Sequence, residues 1–79
     1  MKQVELLSNR FDVQFKHDGR KFDSIQYSYS SKGRIYFNAI SNGIKYRTIA
    51  KQIQLDDNNN VYIMFGKTKL VIGEYKEVA

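Results

Sequence analysis

Two alternating apolar runs meet at Asn42-Gly43 in the segment IYFNAIS-NG-IKYRTI, residues 35–49. Both central positions of a type I′ turn need φ > 0, and Asn and Gly tolerate this best. The dipeptide therefore reads as a two-residue hairpin loop. A loop this short fixes the register, and the register decides which side chains share a face. Ser41 then pairs with Ile44, Ala39 with Tyr46 and Phe37 with Thr48. That places Ile35, Phe37, Ala39 and Tyr46 on one apolar, core-facing side. The other side pairs Ile40 with Lys45, Asn38 with Arg47 and Tyr36 with Ile49, and Arg34 extends it.

The same alternation runs through most of the chain. Proline is absent, and four of the five glycines sit where a turn is wanted. Phe11, Val13 and Phe15 alternate with polar residues, and Asp18-Gly19 marks the next hairpin. The return strand slips phase between Phe22 and Ile25, which calls for a bulge at Asp23-Ser24. Residues 30–33 form a turn. Val61 to Phe65 and Thr68 to Glu77 flank Gly66-Lys67, which suits a type II′ turn, and Gly73 is placed to bend or bulge the last strand. Residues 1–10 and 50–55 fit either a strand or one helical turn. The run of Asp56, Asp57 and three asparagines reads as a polar loop, expected to be the most mobile point.

Six to seven short strands in 79 residues predict a single all-β domain over 1–79. An isolated flat sheet of this size leaves one face wet and two edges open. The expectation is therefore a strongly bent antiparallel sheet or a partly closed barrel, SH3-like or OB-like in size. No family is recognised in the residues.

Composition removes several functions. There is no cysteine, so disulfide staples, thiolate catalysis and cysteine-based zinc sites are excluded. No long apolar run suggests a signal peptide or a membrane span, and the expected location is the cytoplasm. The single histidine, His17, abuts Asp18 in a hairpin turn and lacks the partners of a general base. Gly66-Lys67-Thr68 resembles the end of a phosphate-binding loop, but Val61 stands where that motif needs its first glycine. Asp56 and Asp57 match no calcium-loop spacing. The reading is a non-enzyme with no cofactor and no metal.

The net charge of +5 draws a small protein toward polyanions. Two surfaces are candidates. Tyr27, Tyr29, Arg34, Tyr36, Asn38, Lys45 and Arg47 combine rings for base stacking with cations for phosphates. Tyr62, Met64, Lys69 and Val71 share one side of the last hairpin and suit protein contact. A module that binds and occludes a larger protein ranks first, because the basic residues form no block along the chain. The richness in Lys, Asn, Ile and Tyr, common in AT-rich genomes, makes a phage- or mobile-element-type inhibitor one form of it. The alternative is a small barrel that binds single- or double-stranded nucleic acid. Homo-oligomers through edge strands are a third expectation.

Overall fold

The computed structural model describes residues 1–77 and contains strands joined by turns, without a helix. The strands are β1 (Lys2–Leu6), β2 (Arg10–His17), β3 (Arg20–Ser31), β4 (Arg34–Ser41), β5 (Ile44–Gln52), β6 (Gln54–Leu55), β7 (Asn60–Phe65) and β8 (Thr68–Glu77). They form two antiparallel four-stranded sheets, ordered β2-β3-β4-β5 and β1-β8-β7-β6. The all-β class is as expected. The six or seven strands become eight, because residues 1–10 and 50–55 each supply a short strand instead of a helical turn.

Turn chemistry builds the first sheet. Asp18-Gly19, Lys32-Gly33 and Asn42-Gly43 each place two consecutive residues at positive φ, between 46° and 80°. This is the type I′ signature, whose twist matches that of the strands it joins. Three such turns in series fold β2 to β5 into a meander. Gly66, at φ 60° with no positive φ at Lys67, closes β7 onto β8 as a type II′ turn. The chain changes sheet twice, between β1 and β2 and at Ile53 between β5 and β6.

The two sheets share one apolar cluster. Phe11, Val13, Ile25, Ile35 and Phe37 from the first meet Val61, Ile63 and Ile72 from the second. Each fully buried side chain of this kind contributes about 1.5–3 kcal/mol. A smaller cluster of Phe22, Ala39 and Ile49 continues the core toward the β2–β3 turn, roofed by Phe15 and Phe65. The molecule is elongated, 42 × 23 × 19 Å.

Bulges correct several expected pairings. Ser41 pairs with Ile44 and Ile40 with Lys45, as the turn requires, but Asn38 then pairs with Thr48 and Phe37 with Ile49. Tyr46 and Arg47 together oppose Ala39. The extra residue on β5 brings Ile49 into the core and leaves Tyr46 at its rim, 42% exposed. Ile40 is also buried, although it was placed on the wet side. On β3, Tyr27 pairs with Phe37 and Tyr29 with Tyr36, so Ser28 is extra. Its hydroxyl donates to the Tyr36 carbonyl at 2.8 Å. In the last hairpin Tyr62 opposes Val71 and Val61 opposes Gly73, so Ile72 is an extra residue on β8. The phase slip near Phe22 is met by a register shift opposite Asp23, but the added residue lies on β2, between Asp12 and Phe15.

The Asp56–Asn60 loop is tied down, contrary to the mobile loop expected. The Asp56 carboxylate accepts from the backbone N–H of Asn58 and of Asn60, both at 2.9 Å, and from the Asn60 side-chain amide at 3.0 Å. Lys69 Nζ lies 3.3 Å from it. These donors, chiefly the Asn60 N–H, hold the Asp56 pKa down to about 2.

Candidate functional site

The predicted aromatic and basic surface does not assemble as a unit. Tyr27 follows the inward alternation of buried Ile25 and packs edge-on against Phe37 at 6.5 Å, and the Ser28 bulge after it turns Tyr29 outward. Tyr29 and Tyr36 remain on the outer face of β2–β5, with rings parallel and centroids 4.4 Å apart. Each ring therefore covers one face of the other, which leaves less area for a base than two separate rings offer. Asn38 accepts from the Thr48 hydroxyl at 3.2 Å on that face. Arg34 and Lys45 are exposed and lack a carboxylate partner among the described residues.

Arg47 leaves this group. The β5 bulge aims it at the β2–β3 turn, where its guanidinium pairs with the Asp18 carboxylate. Tyr46 goes the same way. Its ring meets Phe22 edge-on at 5.9 Å, and the Arg20 guanidinium lies 4.5 Å from its centroid.

The second predicted surface does assemble. Tyr62 pairs with Val71 and Met64 with Lys69 across β7 and β8. Lys69 Nζ lies 4.4 Å from the centre of the Tyr62 ring and also reaches Asp56. The Tyr62 hydroxyl is 3.2 Å from the side-chain oxygen of Gln54. The result is a small half-exposed apolar patch with one ion pair at its border.

Sequence reasoning missed how the charge divides. Residues 10–52, which carry β2 to β5, hold nine basic and three acidic side chains; the rest of the chain holds four basic and five acidic. One layer is strongly positive and the other nearly neutral. Some of the basic residues of the first layer also converge on one end. Lys16 pairs with Lys21 and His17 with Arg20 in register. Lys16 and His17 share a cleft with Lys51 of β5. No run in the sequence signals this, because these cations come from two hairpins and meet only when the sheet curls. The alternation of Lys16 and Lys21 about Asp18-Gly19 was the available clue.

The Phe15 ring stacks on Phe22 at 5.2 Å and on Phe65 at 4.6 Å. Lys51 Nζ sits 4.5 Å from the Phe65 centroid. An aromatic row thus runs beneath the basic end, and Lys51 rests on it by cation–π contact. His17 is exposed and 3.9 Å from its neighbour Asp18. The described residues hold no cluster of three or more metal-ligating side chains. No described helix is long and apolar enough to cross a membrane. Comparison with protein-family models, curated proteins and solved structures returns no match.

Proposed function

We propose that this chain is a non-catalytic binding module that holds nucleic acid on its positive layer. The observation that carries this is the nine-to-three excess of basic side chains on residues 10–52, with Lys16, Arg20, Lys21 and Lys51 brought together around the β2–β3 end. Folding brings Lys16, Lys21 and Lys51 near one another although they are far apart in the chain, and this supports nucleic acid over protein contact. Phosphates supply most of the affinity for such a surface, through counterion release.

Fluorescence anisotropy with labelled oligonucleotides tests this. Three phosphate contacts on a single strand give a log–log salt slope of about −2.1, hence roughly 18-fold weaker binding at about 200 mM than at about 50 mM salt. No binding at the lower salt overturns the proposal.

A second reading, occlusion of a larger protein, is favoured by the Tyr62, Met64 and Val71 patch. It predicts that Val71→Lys abolishes capture of a protein partner and leaves oligonucleotide binding unchanged. Captured material that disappears on nuclease treatment counts against it.

A further inference from the structure

The first sheet curls until its two edge strands line one cleft. Lys16 and His17 of β2 face Thr48 and Lys51 of β5 across it, and Phe65 from the β7–β8 hairpin forms part of its wall. A neighbouring groove shares Gln14, Phe15 and Lys16 with this cleft and adds Lys21, Asp23 and Asn42. The two share this stretch of β2 as a wall, so Lys16 borders both halves of the basic channel they outline. Lys16, Lys21 and Lys51 pair with no carboxylate among the described residues. The nearby carboxylates are otherwise engaged. Asp18 pairs with Arg47, and Asp23 accepts from the Asn42 N–H at 3.0 Å and from the Ser24 hydroxyl at 3.2 Å.

We infer that this channel is the seat of single-stranded nucleic acid, with its phosphates on Lys16, Lys21 and Lys51. The inference rests on the nucleic-acid reading above and narrows it to one strand and one place. Two observations carry it. The three cations have no carboxylate partner among the described residues, so their charge is open to phosphates. They also line grooves, and a positively charged groove that tracks the backbone is how single strands are held. Thr48 and His17 add hydrogen-bonding groups at the walls.

The test compares a labelled oligothymidylate with a labelled mixed-sequence duplex of the same length. Removing two phosphate contacts, as in the Lys16→Gln/Lys51→Gln double variant, lowers single-strand affinity about 25-fold at about 0.1 M salt and flattens the salt slope by about 1.4. Lys16→Gln/Lys21→Gln, which leaves the Lys51–Phe65 contact intact, shows the same loss. The control Arg34→Gln/Lys45→Gln on the outer face changes affinity less than about twofold. Circular dichroism melts confirm that each variant is folded. Loss in the control with none in the two cleft variants overturns the cleft but leaves the nucleic-acid reading standing. Duplex bound as tightly as the single strand overturns the single-strand assignment. No binding of either probe at low salt overturns both readings.

Discussion

Gly73→Ala is the sharpest test of how the second sheet is held together. An added Cβ lies 3.0 Å from the Glu5 carbonyl carbon and 3.1 Å from Leu6 Cα, with the Glu5 carbonyl oxygen nearer still. All three are backbone atoms of β1, so no rotamer change relieves the clash. Comfortable carbon–carbon separation is about 3.5–4.0 Å, so β1 must withdraw by roughly 0.5–1 Å. That stretches the Leu7 N–H bond to the Ile72 carbonyl, now 2.9 Å, to the limit of a hydrogen bond. Overpacking of this kind costs about 1–3 kcal/mol. Each kcal/mol moves the melting temperature of a domain this size by about 4–8 °C, so a loss of about 8–16 °C is expected for a mid-range cost. Thermal melts by circular dichroism measure it. Hydrogen exchange of the Lys2–Leu6 amides reports whether β1 peels away before the rest. A variant that melts within about 2 °C of the parent, with β1 protection intact, refutes the close approach.

Asp56 gives the chain an acid-dependent loop. Its pKa is lowered from 3.8 to about 2, so its stabilising contribution is complete above about 3.8 and is lost as pH falls through about 2. Asp56→Asn should melt below the parent at neutral pH, and the gap should narrow toward pH 2 in melts across that range; a gap independent of pH contradicts the assignment. Tyr27 and Tyr29 are two residues apart and should respond very differently. Tyr27→Ala opens space beside Phe37 and should cost about 2 kcal/mol or more. Tyr29→Ala, at an exposed site, should stay within about 0.5–1 kcal/mol, measured by urea titration. Equal losses would mean that the Ser28 bulge is absent.

The turns were legible in the sequence because their chemistry is local. Positive φ at two successive residues is tolerable for Asn, Asp and Gly, so Asn42-Gly43 and Asp18-Gly19 declared themselves. The core of β2, with Phe11, Val13 and Phe15 all inward, followed from alternation. What failed lay at the bulges of β3 and β5. One added residue reverses the side to which the later residues of that strand point, so Tyr29 parts from Tyr27 at Ser28, and Ile49 turns inward after the Tyr46–Arg47 step. A trace of the β5 bulge exists in the sequence, where apolar Ile44 and Tyr46 are even and Ile49 is odd. Nothing comparable marks Ser28, which is held by a hydrogen bond to a different strand. The basic end was hidden for a related reason. Lys16, Lys21 and Lys51 are spread over 36 positions of chain and become neighbours only through long-range pairing.

The unequal charge of the two sheets makes the molecule a permanent electric dipole directed from one sheet to the other. Any extended negative body nearby exerts a torque on it before contact, within about a Debye length at physiological salt. The positive layer arrives first, and the reverse side, with five acids against four bases, offers no comparable hold to a second such body. Copies of this chain would therefore coat a filament from one side without cross-linking it to its neighbours.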